Sequence, residues 1–259
     1  MRQLRRSVIA LARRVLPQPV RAFVLRCAIS LAPEAFSGFA YRLANAPDPE
    51  QGLRAIAARG FTPGFIVDVG AYEGNWTTMV KAIWPAARVL MVEPNPAKRE
   101  MLARLAERSG AELCSELLSS SDSGEVVFHL LETGSSVLEE RSSASRTSQR
   151  LTTRSLDAVM AGRKVDLLKI DVQGYEIEVL KGAEKALGQA SVLVLELSLI
   201  DINAGAPIMH EVVAFLAKRG WIAYDIIEFH RRPLDSALWQ IDMIFVPEAS
   251  ALRAKKTLD

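Results

Sequence analysis

Cysteine and aromatic residues are scarce in this chain of 259 residues, which has two cysteines and 7% aromatic side chains. The two cysteines, Cys27 and Cys114, lie far apart and form no CxxC pair, which excludes a disulfide scaffold. They are expected to be buried thiols in a reducing, cytoplasmic compartment, and a crosslink between them is the less favoured alternative. Hydrophobic residues make up 49% of the chain and charged residues 24%, so a soluble globular protein is expected.

Long hydrophobic runs are also missing from the sequence. Near the start, the apolar run Val8–Ala12 is ended by Arg13 and Arg14 and is shorter than the core of a typical signal peptide. Prolines and further arginines break the next apolar stretch before the roughly twenty residues that a transmembrane helix needs. The sequence therefore predicts neither a signal peptide nor a membrane span.

Acidic residues are absent before Glu34, whereas seven arginines precede it. The remainder of the chain contains 25 basic and 30 acidic residues, so the formal net charge of +2 is due to this N-terminal arm. Because the body of the protein is mildly acidic, a nucleic-acid-binding groove is not expected.

The arm itself has an apolar residue at each helical turn: Leu4, Val8, Leu11 and Val15. We expect residues 1–60 to form a basic helical extension that packs on the body or on the second subunit of a homodimer. The alternative interpretation is an amphipathic helix in peripheral contact with an anionic membrane surface.

From residue 61 onward, strand-like and helix-like stretches alternate, which predicts one α/β domain over residues 61–259. Predicted strands occupy residues 65–69, 88–93, 111–118, 166–172, 192–197, 221–227 and 241–246. Predicted helices occupy residues 53–59, 76–84, 97–108, 176–187 and 208–219. An antiparallel excursion is expected at Glu125–Leu131, followed by a mobile loop at Ser135–Arg150. Continuous apolar strands favour a mainly parallel sheet with helices on both faces.

A carboxylate ends each of four predicted strands: Asp68, Glu93, Asp171 and Glu196. Sheets of this kind bind ligands at the carboxyl ends of their strands. These four side chains are therefore the first candidates for a functional site.

The segment Asp68–Gly74 (DVGAYEG) resembles a nucleotide-binding turn but is not the GxGxxG of dinucleotide sites. Its acid would repel a phosphate, whereas it suits the positive charges of S-adenosylmethionine. Glu93 ends the next strand, where a carboxylate can accept both ribose hydroxyls. The alternative is purely structural: Gly70 and Gly74 make a tight turn and Asp68 caps the helix.

Three longer motifs carry a family resemblance. The run LKIDVQGYEIEVLKGA at Leu168–Ala183, with VDVGAYEGNWT at Val67–Thr77 and VEPNP at Val92–Pro96, resembles the FkbM family of S-adenosylmethionine-dependent methyltransferases. The resemblance implies a Rossmann-like class I methyltransferase fold, with seven strands of which the last is antiparallel. It also implies O-methylation of a small-molecule substrate, such as a natural product or a sugar. Gln173 departs from the family pattern, in which Glu is common.

The motifs and the strand ends together provide the predicted cofactor-binding residues. These are Asp68, Gly70, Gly74, Asn75, Glu93, Pro94, Ser119 and Asp171. Ser119 is included only for its position after the third strand.

Strand alternation places Lys169 and Asp171 on one face of the sheet. A buried lysine needs a charged partner, and Asp171 is the nearest acid in sequence. Asp171 is our first candidate for the base or for the group that orients a hydroxyl, with Lys169 tuning it and Glu196 second. The alternative is a structural ion pair. Mg²⁺ would suit several carboxylates at one edge, but no tight ligand spacing favours it.

Two other functions compete with methyl transfer. A nicotinamide-dependent oxidoreductase could use a similar sheet. However, this sequence lacks the GxGxxG motif of such enzymes, and Asp68 would lie against the phosphate of their cofactor. A non-catalytic nucleoside-binding protein would have no physical need for the complete set of acids and glycines.

Overall fold

A computed structural model describes residues 46–130, 135–139, 141 and 147–257. The residues from Pro47 onward form one compact unit. The predicted arm helix, its membrane or subunit contacts and Cys27 lie outside the described residues, so they stay predictions, as does the domain boundary after residue 60. Within the described ranges, no helix combines the length and the hydropathy needed to cross a membrane.

Strands and helices alternate along the described chain. The strands are β1 (Phe65–Val69), β2 (Arg88–Val92), β3 (Glu112–Cys114), β4 (Leu117–Leu118), β5 (Glu125–Leu130), β6 (Thr147–Arg154), β7 (Leu167–Ile170), β8 (Val192–Ser198), β9 (Trp221–Arg231) and β10 (Leu238–Pro247). The helices are α1 (Pro49–Ala58), α2 (Asn75–Ile83), α3 (Arg99–Ser109), α4 (Leu156–Met160), α5 (Glu176–Lys181), α6 (Glu184–Leu187) and α7 (Met209–Ala217). Short 3₁₀ helices occupy Pro96–Lys98 and Ala251–Arg253.

Seven strands form the main sheet, in the order β3-β2-β1-β7-β8-β10-β9. The pairs from β3 through to β8 are parallel, and β10 is antiparallel to both of its neighbours. The predicted seven-stranded, mainly parallel sheet with an antiparallel last strand is therefore confirmed. In this arrangement the carboxyl ends of β1, β2, β7 and β8 meet at one edge.

Apolar side chains on both faces of the central strands make this sheet a buried layer. Every residue of β1 and β7 is buried. Alternation divides them between two cores, one containing Val67, Leu168 and Leu193 and the other containing Ile66, Leu167 and Val192. Asp68, Lys169 and Asp171 continue the second series at even spacing, so they lie on the face that α1 and α2 cover.

Helix α1 begins four residues earlier than the sequence predicts. Asp48 is its N-cap, with a side-chain oxygen 2.8 Å from the backbone nitrogen of Gln51, and Pro49 occupies the first turn. Leu53 and Ile56 are fully buried in the second core. The segment that begins at Asp48 therefore starts a helix of the compact unit.

The predicted third strand over residues 111–118 is wrong in one respect, because it is two strands in two sheets. β3 pairs with β2 at the edge of the main sheet, whereas β4 pairs with β6 in a separate sheet of order β4-β6-β5. The chain leaves the main sheet at the exposed residues Ser115 and Glu116. Leu117 and Leu118, which form β4 of this second sheet, are buried.

The predicted loop at Ser135–Arg150 is wrong at its end, where strand β6 begins at Thr147. This strand pairs antiparallel with β5, as expected for the excursion. Only Thr153 of β6 is buried, so its sequence has no apolar alternation from which a strand could be recognised.

The predicted single helix over residues 176–187 is two short helices, which are interrupted around Gly182. A Cβ atom at Gly182 would lie 2.0 Å from the carbonyl oxygen of Ser119. The glycine therefore allows the chain to pass close to the segment that follows β4.

Candidate active site

An open cleft lies at the carboxyl ends of β1, β2 and β7, where the sequence predicts a functional site. The volume of this cleft, including the solvent at its open mouth, is about 830 Å³. Four of the predicted site residues line it: Gly70, Glu93, Pro94 and Asp171. Apolar side chains of β4 and β5 form another part of the lining, which suits the flat face of a nucleobase.

The turn after β1 brings the chain very close to the turn after β7. Gly70 has a left-handed backbone (φ +75°), and a Cβ atom there would lie 1.8 Å from the carbonyl oxygen of Asp171. No side chain fits at this position. The backbone of Gly70 thus lines the cleft directly, and its carbonyl oxygen accepts a hydrogen bond from Lys169.

Glu93 is fixed at the end of β2 by two backbone amides. Its Oε2 accepts from the amide of Tyr72 and its Oε1 from the amide of Asn95, both at 2.9 Å. Burial raises the pKa of Glu93, outweighing these two hydrogen bonds. Because each carboxylate oxygen has two lone pairs, each can accept a further hydrogen bond from a ligand in the cleft.

Lys169 occupies the centre of the charged cluster and is only 5% exposed. Its Nζ donates to the Gly70 carbonyl oxygen at 3.0 Å and lies 3.2 Å from Asp171 Oδ2 and 3.3 Å from Asp68 Oδ1. Burial opposes the charge, but Asp171 and Asp68 outweigh it and raise the pKa of the lysine. The lysine thus has the predicted partner, Asp171, and a second one from β1.

Asp68 is completely buried and lies beneath the cleft. Its Oδ2 accepts a hydrogen bond of 2.7 Å from the Thr77 hydroxyl in the first turn of α2. The structural alternative expected Asp68 to cap α2. The N-cap of this helix is Gly74 instead, and Asp68 accepts no hydrogen bond from the backbone amides of the first turn. Its predicted contact with a cofactor stays a prediction, and the geometry gives it a role in pairing Lys169.

A row of carboxylates crosses the sheet beside this cluster. Glu196 on β8 is directly opposite Asp242 on β10. Gln173 connects Glu196 to Asp171, because its Nε2 lies 2.5 Å from Glu196 Oε2 and 3.0 Å from Asp171 Oδ1. The structure therefore brings together the three predicted catalytic residues, Lys169, Asp171 and Glu196, and adds an acid that the sequence analysis missed.

The acids of this row differ in their affinity for protons. Burial raises the pKa of Asp171, but the Lys169 ammonium and hydrogen bonds from Glu196 and Gln173 outweigh it, so the net shift is downward. Burial and then the charge of Asp171 raise the pKa of Glu196 well above its ordinary value. The same two causes raise the pKa of Asp242 to about 7. Asp171 is thus the one of these three acids whose pKa is lowered.

Other predicted residues lie around the cleft. Gly74 packs against Leu105, and the neighbouring Asn75 is exposed at the start of α2. The hydroxyl of Ser119, which is 5% exposed, lies 3.0 Å from the hydroxyl of Tyr175. Tyr175 lines the cleft, so Ser119 supports the lining through it.

Sequence reasoning missed several of the lining residues, including Asn95, Gln173 and Tyr175. Asn95 and Gln173 lie within two residues of a predicted strand end, which is the signal that could have found them. In the part of the chain that the structure describes, no group of three or more His, Cys, Asp or Glu side chains is arranged to hold a metal ion.

Comparison with known families gives one match. The model of the methyltransferase FkbM domain matches residues 68–222, which run from the end of β1 to the start of β9. No curated protein matches the chain.

Two solved structures illustrate the structural comparisons. A methyltransferase FkbM from Methylobacillus flagellatus KT is 14% identical with a TM-score of 0.47, over 70% of this chain and 43% of that one. The precorrin-6y C5,15-methyltransferase from Geobacter metallireducens GS-15 is 11% identical with a TM-score of 0.42, over 70% of this chain and 77% of that one. This chain thus spans less than half of the length of the first of these proteins.

Proposed function

The chain belongs to the FkbM methyltransferase family, and we propose that it transfers a methyl group from S-adenosylmethionine to a hydroxyl oxygen of a small or medium-sized metabolite. The observation that carries this proposal is the position of Asp171. Its Oδ2 lies 3.2 Å from the buried Lys169 Nζ, and its side chain is 30% exposed at the wall of the cleft.

The residues around the cleft fit S-adenosylmethionine, which when bound supplies a methyl group on a positively charged sulfur. Glu93 has lone pairs left for two ribose hydroxyls, since each oxygen accepts one backbone hydrogen bond. Near the turn after β1, two carboxylates surround one ammonium, so the local charge favours a cation. A pyrophosphate bound there would instead meet a net negative charge, which disfavours a dinucleotide.

Asp171 would accept a hydrogen bond from the hydroxyl of the acceptor and so direct a lone pair of its oxygen toward the methyl carbon. Orientation of this kind provides a large part of the acceleration of a displacement reaction. The lowered pKa keeps Asp171 ionised and therefore able to accept this hydrogen bond. Asp171 would take the hydroxyl proton as the new oxygen–carbon bond forms and the carbon–sulfur bond breaks. Lys169 maintains the charge of Asp171 beneath the cleft.

A labelling experiment tests this proposal. The full chain is incubated with S-adenosylmethionine labelled in its methyl group and with panels of sugars, polyketides and peptides, and the products are analysed by mass spectrometry. We expect the label on a hydroxyl oxygen of one class of acceptor. Label on nitrogen or carbon only would contradict O-methylation, and the absence of label from every panel would count against the proposed acceptor classes.

A further inference from the structure

The backbone of Gln173 is held in an unusual conformation from several sides. Its φ of +55° lies in the left-handed region, which costs a residue other than glycine on the order of 1 kcal/mol or more. Its carbonyl oxygen accepts hydrogen bonds from the Ser136 hydroxyl at 2.9 Å and from Asn203 Nδ2 at 2.7 Å. Glu176 accepts from the amides on either side, those of Val172 and Gly174.

These contacts come from three separate parts of the chain and keep the strained residue in place. Ser136 is 2% exposed, Asn203 7% and Glu176 3%. A backbone that is so well determined directs the side chain of Gln173 toward the carboxylate row rather than into solvent. Strain of this kind persists only where the surrounding structure imposes it.

Both polar atoms of the Gln173 carboxamide, Nε2 and Oε1, make hydrogen bonds. Its Nε2 donates to Asp171 Oδ1 at 3.0 Å and to Glu196 Oε2 at 2.5 Å. Its Oε1 accepts from Nε2 of Gln240 at 3.3 Å, and Gln240 is 3% exposed. The amide orientation follows from this set, because the oxygens of two carboxylates call for donors.

We propose that Gln173 is a positioning residue for methyl transfer, whose carboxamide holds Asp171 in the orientation that meets the acceptor hydroxyl and keeps it hydrogen-bonded beside Glu196. The inference rests on the proposed function, because it concerns the same reaction. It assigns to Gln173 two donated hydrogen bonds that the glutamate common at this position in the family would not provide. A glutamate there would remove both donors and add a further negative charge to the row.

The charged groups in and around the carboxylate row determine how the pKa of Asp171 responds to a change at Gln173. They are Lys169 from β7, Asp68 from β1, Glu196 from β8, Asp242 from β10, Glu228 from β9 and Glu176 from α5. One ammonium thus faces several acids, so the donors of Gln173 help Asp171 to remain ionised. Loss of these donors raises the pKa of Asp171, and an added negative charge raises it further.

Two variants of Gln173 and one control separate this role from a purely structural one. Gln173→Met removes the donors without adding charge, and Gln173→Glu does both. Gln189→Glu is the control, because Gln189 is exposed on the surface after α6. The first readout is a ¹³C NMR titration of the side-chain carboxyl groups of Asp171 and Glu196 in the full chain. The second is the pH dependence of kcat for an acceptor found by the labelling screen.

We expect the pKa of Asp171 to rise in Gln173→Met and to rise further in Gln173→Glu, with the acid limb of the kcat profile moving to higher pH by the same amount. At pH 7 we expect kcat of Gln173→Glu to fall at least about tenfold, as for the loss of an oriented base. The KM for S-adenosylmethionine should change little, and the control should match the wild type.

An unchanged titration of Asp171 in both variants would overturn the inference, as would an equal loss of kcat at every pH. If Gln173→Glu does not fold, the titration of Asp171 in Gln173→Met still tests the inference, because this variant adds no charge. If the wild type methylates none of the acceptors, the proposed function fails at that point. The titration then reports separately whether Gln173 sets the ionisation of Asp171.

Discussion

At the scale of single residues, one ammonium and several acids share a buried space, and their contacts decide which acid stays charged. Lys169 lies between Asp68 and Asp171, and Gln173 lies between Asp171 and Glu196. Strand alternation was enough to predict the contact between Lys169 and Asp171. The contact with Asp68 depends on the pairing of β1 with β7, and the role of Gln173 depends on a left-handed turn, so neither could be read from the chain alone.

The first prediction concerns Asp171, which is among the predicted cofactor-binding residues but which we expect to contribute more to catalysis than to cofactor affinity. Asp171→Asn should lower kcat by about 10²- to 10⁴-fold, because it removes the charged hydrogen-bond acceptor for the hydroxyl. The affinity for S-adenosylhomocysteine, measured by calorimetry, should change little. Glu178→Gln is the control, since Glu178 pairs with Lys181 on the surface of α5. Undiminished kcat in Asp171→Asn would reduce this residue to a structural role.

The second prediction concerns the buried lysine. Lys169→Met should lower the free energy of unfolding by about 3–5 kcal/mol at neutral pH, because it leaves Asp68 and Asp171 without their partner. A buried carboxylate without a partner has a pKa above that of the unfolded chain, so the loss should shrink as the pH falls. Urea unfolding at several pH values measures both effects.

Lys181→Met provides the control for this prediction, because Lys181 forms an exposed pair with Glu178. The loss there should be no more than about 1 kcal/mol. A loss of similar size in the two variants, or one that grows as the pH falls, would show that Lys169 does not compensate the two acids.

At the scale of elements, the site forms because glycine turns let neighbouring strand ends approach each other. Gly70 touches the backbone of Asp171, so the turns after β1 and β7 lie against each other with no side chain between them. The cleft at these strand ends is lined by Gly70, Glu93 and Asp171, among other residues. The seven-stranded sheet that brings these strand ends together is the Rossmann-like fold of class I methyltransferases that the resemblance implies.

The third prediction compares two glycines with left-handed backbones. Gly70→Ala must bring a Cβ atom against the Asp171 carbonyl, whereas at Gly162, with φ +83°, nothing lies within 4 Å. We expect Gly70→Ala to be less stable than Gly162→Ala by about 1–3 kcal/mol, which is typical of overpacking. We also expect it to lose S-adenosylhomocysteine binding. Thermal unfolding and calorimetry measure the two effects, and equal stability of the two variants would contradict the close approach.

Elements with continuous apolar sequence were predictable, and elements without it were not. β1 and β8 match their predicted residues to within one position, because their side chains are buried on both faces. β6 is polar and exposed along most of its length, so its sequence reads as a loop. β4 was merged with β3, because the two apolar segments are only two residues apart and the change of sheet is a tertiary feature.

At the scale of the whole molecule, the acids of the site link stability to pH. Burial raises the pKa of Glu176 and of Asp242 to about 7. Between about pH 4 and pH 7 the folded protein therefore holds protons that the unfolded chain releases. The sign follows directly: these groups make the protein less stable as the pH rises through this range, and their effect levels off above it.

The fourth prediction tests this link with Asp242→Asn, which removes one of the acids whose pKa is raised. The decline of stability between pH 5 and 7 should become less steep by up to about 1.4 kcal/mol per pH unit. Chemical unfolding across this range measures the slope. The exposed Asp225 provides a matched control as Asp225→Asn, which should keep the wild-type slope. If Asp242→Asn kept the wild-type slope of stability against pH, Asp242 would carry no extra proton in the folded protein.

The central claim is that the cleft binds S-adenosylmethionine through Glu93, and calorimetric titration of the full chain tests it most directly. We expect S-adenosylhomocysteine to bind the wild type and NAD(H) to give no binding heat. Glu93→Gln should weaken binding by about tenfold or more, because a hydrogen bond to a charged group contributes about 1.5–3 kcal/mol. Binding of NAD(H) alone, or an unchanged affinity in Glu93→Gln, would contradict the account.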